Sequence, residues 1–317
     1  MDTDRQAKPK VPVSESFSRP KTVESERLAK PSEGSTTDFE FIRKLVRDRS
    51  GIVLGDDKRY LIEHRLQPAM EQQGLRNLSE LVVKLRAVTW SDLHRQVIEM
   101  MTTNETYFFR DGQPFEALAQ MVIPQLMKVR AAERRITMWC AACSTGQEPY
   151  SILMLLRDRF PALVNWQVRL IATDINAEVL ARARLGRYST YEVNRGLDPA
   201  YLKRYFTPDG NDFVVVPELR RAVDFQLLNL LDPWSSLPSI DVVFLRNVLI
   251  YFDLDTKRAI LGKVRKLLAA DGNLFLGGAE TTLNIDERFE RVAFERAGCY
   301  RLKPGAANYQ SGVYPAL

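Results

Sequence analysis

The sequence predicts an α/β protein with a doubly wound, mostly parallel sheet, a small N-terminal all-helical domain and an inserted small antiparallel β subdomain. Three observations lead to this prediction. Helical and strand-like segments alternate from about Phe115 onward, as in a parallel sheet covered by helices on both faces. Residues 37–103 have helical periodicity throughout. Residues 187–222 interrupt the alternation, and a turn signal at residues 207–212 precedes a short strand there.

The helical domain, residues 37–103, is predicted to contain four helices. Thr37 or Asp38 is the expected N-cap of the first helix. The second begins near Lys58, and Pro68 is expected to shorten or kink it, because proline lacks a backbone donor. The third and fourth helices are expected at residues 79–85 and 92–101.

The main domain is predicted to span residues 104–305 and to begin its sheet with a strand at residues 135–139. Late in this domain we expect a helix at residues 255–270 and a turn at Asp271 and Gly272. The other predicted elements are a helix at residues 177–185 and strands at residues 167–174, 213–216, 223–228, 240–247, 273–277 and 299–302.

The first strand is followed by a turn of small residues and then by a helix. Residues 141–146 are small, so the backbone there can approach a ligand closely. Pro149 is expected at the first helical position, where its missing N–H is not needed. A strand, a tight turn and a helix in this order form the front edge of a nucleotide-type site in a doubly wound sheet.

Acidic and polar residues mark the ends of the neighbouring strands. Asp174 ends the second strand, where it can accept hydrogen bonds from ribose, and Glu148 can meet ribose hydroxyls or an amino group. Arg246 and Asn247 end a third strand. A nicotinamide dinucleotide would require Gly-x-Gly-x-x-Gly after the first strand, whereas this turn contains only Gly146. The pattern therefore favours a ligand without phosphates, such as S-adenosylmethionine.

Composition is that of a soluble globular protein, with 45% hydrophobic residues, 27% charged residues and a net charge of +5. No apolar run approaches the roughly 18 residues of a membrane span, and the N-terminus lacks a signal-peptide core. We therefore expect a cytoplasmic protein without membrane insertion.

Residues 1–36 contain few apolar residues and are expected to be a disordered tail, and residues 306–317 are expected to be a C-terminal tail.

The three cysteines do not make a disulfide framework. Cys140 and Cys143 have the spacing of a redox or zinc motif, but there is no second pair, and both histidines lie far upstream. We interpret the two thiols as small packing residues and expect no metal. Nucleic acid is not an expected partner either, because the chain has neither a strongly basic domain nor an Asn-Pro-Pro-aromatic motif.

Three segments resemble the signatures of a known family. They read NETYFFRD at residues 104–111, AACSTGQEPYS at residues 141–151 and RNVLIYF at residues 246–252. In order and spacing they look like those of the CheR family, the bacterial chemoreceptor glutamate methyltransferases, and the resemblance runs from about Asp38 to Pro304. It implies methyl transfer from S-adenosylmethionine to glutamate side chains of chemoreceptors. Two alternatives remain: a non-catalytic receptor-binding or S-adenosylmethionine-sensing module on the same fold, and a methyltransferase of small carboxylic acids.

The resemblance also implies roles for individual residues. The implied cofactor-binding residues are Asn104, Thr106, Arg110, Glu148, Asp174, Asn229, Leu230, Arg246 and Asn247. The implied catalytic residues are Arg110, Arg246 and Tyr251, of which Arg246 and Tyr251 would orient the incoming glutamate. A glutamate side chain is already ionised at pH 7, so no general base is expected. The site has instead to bring the two reactants into line.

Basic residues of the second helix are the expected contacts to the receptor. By resemblance, Lys58, Arg59 and Arg65 form a docking face for cytoplasmic receptor helices. Some family members also grip a C-terminal receptor pentapeptide through the inserted β subdomain. The turn at residues 208–212 looks shorter than in those members, so we expect recognition that does not depend on the pentapeptide.

The chain departs from the family pattern after the strand at residues 273–277. The family usually has His-Ser-Glu there, whereas this chain has Gly278, Ala279 and Glu280. The acid is kept and two polar side chains are lost, which puts the shape of that part of the site in question.

Overall fold

The computed structural model describes residues 35–294 and 297–305. The two predicted tails therefore lie outside the described residues, except for Ser35 and Thr36. These two residues belong to the start of the first helix instead, because Ser35 caps it and accepts a hydrogen bond from the backbone of Asp38. Asp38 in turn accepts from the backbone of Ser35, which completes a capping box. The predicted caps, Thr37 and Asp38, were placed two and three residues too late.

Four helices form the N-terminal domain: α1 (Thr36–Ser50), α2 (Arg59–Gln72), α3 (Leu78–Arg86) and α4 (Asp92–Met101). A 3₁₀ turn at Asp56–Lys58 precedes α2. Pro68 lies inside α2, which continues to Gln72, so the predicted shortening is wrong. The helices pack around one apolar cluster that includes Ile42, Val46, Ile62, Leu66, Leu81 and Val97.

The main domain contains a seven-stranded sheet with the strand order β6-β2-β1-β7-β8-β10-β9. Its strands are β1 (Arg135–Ala141), β2 (Gln167–Asp174), β6 (Val223–Leu227), β7 (Ile240–Leu245), β8 (Leu268–Leu276), β9 (Phe289–Arg291) and β10 (Cys299–Leu302). The five strands from β6 to β8 are parallel, and β10 pairs antiparallel with both of its neighbours. The predicted mostly parallel sheet is confirmed.

Helices cover both faces of the sheet. They are α5 (Gln113–Ala117) and α6 (Ile123–Val129), joined by a π-helical segment (Leu118–Val122), then α7 (Gln147–Arg159), α8 (Ala177–Leu185) and α12 (Leu254–Leu267). Alternate side chains of β1 point to opposite faces. Met138 and Cys140 pack in one apolar cluster, and Trp139 packs in the other. This double burial explains why the strands read as continuous apolar runs.

The inserted subdomain is antiparallel, as predicted, and its three strands have the order β3-β5-β4. It consists of β3 (Arg187–Ser189), β4 (Phe206–Asp209), β5 (Asp212–Val215) and the short helices α9 (Thr190–Val193), α10 (Pro199–Tyr205) and α11 (Pro217–Arg221). Gly210 and Asn211 alone join β4 to β5, and Gly210 has a φ of 63°. Residues 207–209, which the turn signal covered, therefore belong to a strand.

Two other predicted boundaries are wrong. Helix α12 ends at Leu267, and β8 already begins at Leu268, so Asp271 and Gly272 lie in a strand and not in a turn. The pairing of β7 with β8 has a register irregularity in this region, which keeps the chain in the sheet. Helix α7 begins at Gln147, so Pro149 occupies its third position, where an N–H is also not required.

Candidate functional site

A cleft lies at the carboxyl ends of β1, β2 and β7, and it is partly open to solvent. All ten residues that the sequence predicts for the site line it: Asn104, Thr106, Arg110, Glu148, Asp174, Asn229, Leu230, Arg246, Asn247 and Tyr251. The structure thus gathers residues from five separate sequence segments at one edge of the sheet.

The turn between β1 and α7 forms one wall of the cleft in a strained conformation. Ala142 and Ser144 both line the cleft and have φ values of 53° and 52°. Non-glycine residues with positive φ are uncommon and tend to cluster at functional sites. Gly146 has a φ of 94°, and a Cβ there would lie 2.9 Å from the Cβ of Ala183. Only glycine therefore allows α7 to start so close to α8.

Asp174 joins the two loops that border the cleft. Its Oδ2 accepts from the backbone N–H of Ser144 at 2.8 Å, and its Oδ1 accepts from that of Asn176 at 3.0 Å. Burial raises the pKa of the Asp174 carboxyl, and these backbone donors oppose the rise. The carboxylate is therefore fixed in orientation before any ligand arrives.

Arg246 is at the centre of a buried charge network. Its side chain is only 1% exposed. One terminal nitrogen donates to Oε2 of Glu148 at 2.7 Å, and the other donates to Oδ2 of Asp111 at 2.7 Å and to the backbone carbonyl of Arg110 at 2.9 Å. Burial raises the pKa of the Glu148 carboxyl, and the Arg246 guanidinium opposes that effect. The network connects the first, second and third signature segments.

The Arg110 side chain lies at the open side of the cleft. Its Nη1 donates to the backbone carbonyl of Glu105 at 2.8 Å, and its guanidinium lies 5.6 Å from the ring centre of Tyr107. The backbone carbonyl of Asn104 accepts from the Ser144 hydroxyl at 2.8 Å. The first signature is therefore bound directly to the turn after β1.

The helical domain also contributes to the cleft, which the sequence does not indicate. Ser50 ends α1, Ile52 follows it closely, and both line the cleft, as do Thr102 and Thr103 between α4 and the first signature. The threonines are adjacent to the first signature, which is the one local signal for them. No local signal points to Ser50 or Ile52, because only the folded domain arrangement brings them there.

Side chains next to the cleft connect the two domains. The amide Nδ2 of Asn229 donates to the backbone carbonyl of Arg49 at 2.6 Å, so this predicted cofactor residue also holds the end of α1. Arg65 donates to the carbonyls of Met101 and Thr102 at 2.9 and 3.0 Å and to the Thr103 hydroxyl at 3.1 Å. Arg65 therefore fixes the segment that lines the cleft.

The two lost polar side chains of the family pattern would lie at the surface. Gly278 and Ala279 are both exposed, and a Cβ added at Gly278 would have no heavy atom within 4 Å. The departure therefore leaves the buried wall of the cleft intact.

Neither metal ligands nor membrane spans are found in residues 35–294 and 297–305. This part of the chain has no group of three or more His, Cys, Asp or Glu residues arranged to hold a metal ion. Cys140 and Cys143 are buried free thiols, and burial raises their pKa well above its usual range. Within the same residues, no helix has the length and apolar character that crossing a membrane requires.

Comparisons with known proteins agree with this geometry. Residues 37–102 match the family model described as "CheR methyltransferase, all-alpha domain", and residues 104–297 match "CheR methyltransferase, SAM binding domain", where SAM is S-adenosylmethionine. The chain is 42% identical over 274 residues to chemotaxis protein methyltransferase 1 of Pseudomonas aeruginosa, covering 85% of this chain and 99% of the relative. It is 38% identical over 271 residues to the chemotaxis protein methyltransferase of Escherichia coli, covering 84% and 90%.

These matches extend over both domains and nearly the whole length of the relatives. They confirm the predicted enzyme class, the predicted cofactor and the predicted place in chemotaxis. The chain belongs to the CheR methyltransferase family.

Proposed function

We propose that this enzyme methylates glutamate side chains on the cytoplasmic helices of chemoreceptors, with S-adenosylmethionine as the methyl donor. The observation that carries this proposal is the single cleft that collects all ten predicted residues beside a helical domain. A helical domain next to the cleft favours a protein substrate over a small carboxylic acid. A substrate on cytoplasmic helices also implies a cytoplasmic enzyme.

The donor set of the cleft fits S-adenosylmethionine. That molecule carries a positively charged amino group, a carboxylate and ribose hydroxyls. Asp174 presents a fixed carboxylate for the ribose, and Glu148 presents a second one for the amino group. Asn104, Thr106, Asn229, Leu230 and Asn247 complete the proposed cofactor contacts. When bound, the cofactor supplies a methyl group on a sulfonium sulfur.

The protein residues bring the substrate carboxylate into line with that methyl group. A glutamate is ionised near pH 7, so no residue has to remove a proton. The rate acceleration comes from positioning the two reactants. It also comes from hydrogen-bond donors that hold the substrate carboxylate away from water. Arg110 and Tyr251 line the cleft and are our proposed contacts to the incoming carboxylate.

The role that we propose for Arg246 differs from that of the other two predicted catalytic residues, Arg110 and Tyr251. Both of its terminal nitrogens already donate to Glu148, Asp111 and the Arg110 carbonyl. We therefore propose that Arg246 orients Glu148 and the backbone of Arg110, and balances the charge of the cleft, before it contacts any ligand.

Docking is proposed to use exposed basic residues of α2. Lys58 and Arg59 are exposed at its start, and Arg59 also lies over the Phe39 ring at 4.1 Å. Arg65 is half-buried and holds the interdomain segment, so it would act on docking and on the cleft together. Contacts by exposed charges should weaken with added salt.

The inserted subdomain is proposed to contribute little to receptor recognition. A peptide strand added to its open edge would need a loop to close over it. Here β4 and β5 are joined by two residues only, Gly210 and Asn211. Titration of a receptor C-terminal pentapeptide tests this point: we expect no binding in the micromolar range, and such binding, lost on altering residues 208–212, would contradict it.

The proposed function is tested by transfer of labelled methyl groups to receptor-enriched membranes. We expect label on the receptor band that mild base releases, because a methyl ester is hydrolysed by base whereas N-methyl groups are not. Binding of S-adenosylmethionine without any transfer would instead support the non-catalytic module. Transfer only to free small acids would support the small-molecule methyltransferase.

A further inference from the structure

Glu280 is a buried carboxylate that accepts four backbone hydrogen bonds. It is 8% exposed. Its Oε2 accepts from the N–H of Gly277 and of Asn247, both at 2.7 Å. Its Oε1 accepts from the N–H of Val248 at 2.9 Å and of Ile250 at 3.3 Å. One side chain thus satisfies donors from the loops after β8 and after β7.

The loop after β7 carries cleft residues at both ends. Asn247 lines the cleft in a left-handed conformation with a φ of 56°, and Tyr251 lines it four residues later. Left-handed backbone in a non-glycine residue is costly and persists only where the surroundings hold it. The three N–H bonds from residues 247, 248 and 250 to Glu280 are such a restraint.

The loop after β7 and the loop after β8 are in close contact beside Glu280. A Cβ at Gly277 would lie 2.7 Å from the Asn247 side chain and 2.8 Å from Oε2 of Glu280. A larger residue at position 277 would therefore have to displace the Asn247 or Glu280 side chain. Glu280 itself does not belong to the residues that line the cleft in the described part of the chain, so it acts from behind the wall.

We propose that Glu280 is a positioning residue for methyl transfer, because it holds the segment from Asn247 to Tyr251 in the conformation that presents the Tyr251 side chain to the substrate carboxylate. This inference rests on the proposed function. Most proposed cofactor contacts lie on other elements, among them Asp174, Glu148 and Asn104. Loss of Glu280 should therefore lower the rate of transfer more than it weakens cofactor binding.

The test compares Glu280→Gln, Glu280→Asp and a control, Glu287→Gln, which alters an exposed carboxylate of the same segment. For Glu280→Gln we expect kcat for receptor methylation to fall tenfold or more while the Kd of S-adenosylhomocysteine rises no more than threefold. Glu280→Asp keeps the charge and both acceptor oxygens and should recover part of the rate. Glu287→Gln should behave as the wild type.

A double-mutant cycle connects Glu280 to the residue through which it acts. If Glu280 works by holding Tyr251, then Tyr251→Phe should cost much less in the Glu280→Gln background than in the wild type. Fully additive losses would overturn the proposal. So would a wild-type kcat for Glu280→Gln, or a loss of cofactor affinity equal to the loss of kcat.

Amide hydrogen exchange gives a readout that does not need activity. Residues 247–250 should exchange faster in Glu280→Gln, or in Glu280→Asp if the first variant does not fold, and the helical domain should be unchanged. Unchanged exchange in that loop would overturn the inference. A wild-type enzyme that transfers no methyl group to the receptor would contradict the proposed function. The hydrogen-exchange result would still decide whether Glu280 holds the loop.

Discussion

At the scale of single residues, Asp174 offers the simplest test of the cleft. Asp174→Ala removes a carboxylate and leaves the buried N–H groups of Ser144 and Asn176 without their acceptor. We expect S-adenosylhomocysteine binding to weaken by about 1–3 kcal/mol, because the ribose hydroxyls of the bound ligand would lose the acceptor proposed for them. Calorimetry measures this change, with Glu178→Ala as a control at an exposed carboxylate near the same strand end. An affinity equal to that of the wild type would rule out the role proposed for Asp174.

The raised pKa values of Glu148 and Asp174 predict that cofactor affinity depends on pH. Both carboxyls titrate above their ordinary values because they are buried. In their proposed roles the ionised forms accept hydrogen bonds from the ligand, so affinity should be constant at high pH and fall as pH drops through the raised pKa values. Calorimetry from neutral pH down to the acidic limit at which the protein stays folded tests this expectation. An affinity unchanged over that range would contradict it.

The sequence could place Glu148, Asp174 and Arg246 in one cleft because they follow or end β1, β2 and β7, and parallel strands present their carboxyl ends together. Their mutual contacts could not be predicted. The bond of Arg246 to Asp111 joins residues far apart in the chain and depends on side-chain packing. The catalytic and binding roles of the predicted residues stay predictions until variants are measured.

At the scale of elements, we propose that α2 and the turn before it serve both receptor docking and support of the cleft. Arg65→Ala should raise the Kd for S-adenosylhomocysteine about fivefold, since its bonds to Thr102 and Thr103 fix cleft residues and a hydrogen bond is worth roughly 1 kcal/mol. Lys58→Ala should raise only the KM for receptor. Parallel measurements of cofactor Kd and receptor KM distinguish the two residues. An Arg65 variant that alters receptor KM alone would refute this division.

The start of α12 joins the two domains through Asp253. Its Oδ1 accepts from the N–H of Thr256 at 2.9 Å, and its Oδ2 accepts from Arg47 of α1 at 2.7 Å. These bonds lower the pKa of Asp253 from 3.8 to about 2. Since the folded pKa lies below the unfolded one, the stabilisation is complete above pH 3.8 and is lost as pH falls through about 2.

Asp253→Ala should therefore destabilise the fold by about 1–2 kcal/mol near neutral pH, mainly through loss of the helix cap. Urea unfolding measures the change, and Asp255→Ala serves as the control because that side chain is 94% exposed. The difference between the variant and the wild type should shrink at strongly acidic pH. Equal stability of both variants at neutral pH would contradict the assignment.

Element types were more predictable from the sequence than element ends. Apolar periodicity predicted six of the seven strands of the main sheet, because burial on both faces dictates it, whereas the short edge strand β9 was not predicted. The end of α12 was misplaced by three residues, since Ala269 and Ala270 fit a helix equally well and only the pairing with β7 draws this segment into β8. Pro68 was expected to shorten α2, yet the helix continues beyond it to Gln72.

At the scale of the whole molecule, the helical domain is part of the binding cleft. The backbone N–H of Val53 donates to the Tyr251 carbonyl at 2.9 Å, and Ile52 forms a β-bridge with Phe252. A ligand in the cleft therefore contacts both domains. We expect saturating S-adenosylhomocysteine to raise the Tm of a single cooperative transition. Two separate transitions, with only the second shifted by ligand, would show that the domains are not coupled.

The central claim is that this cleft transfers a methyl group to a glutamate side chain of a chemoreceptor. Tandem mass spectrometry of receptor peptides, after incubation with the enzyme and S-adenosylmethionine, tests it most directly. We expect the mass of one methylene to be added to glutamate residues of the receptor's cytoplasmic helices by the wild type, and much less by Asp174→Ala. Receptor peptides without added mass, or with the methyl group on lysine, arginine or cysteine, would contradict the claim.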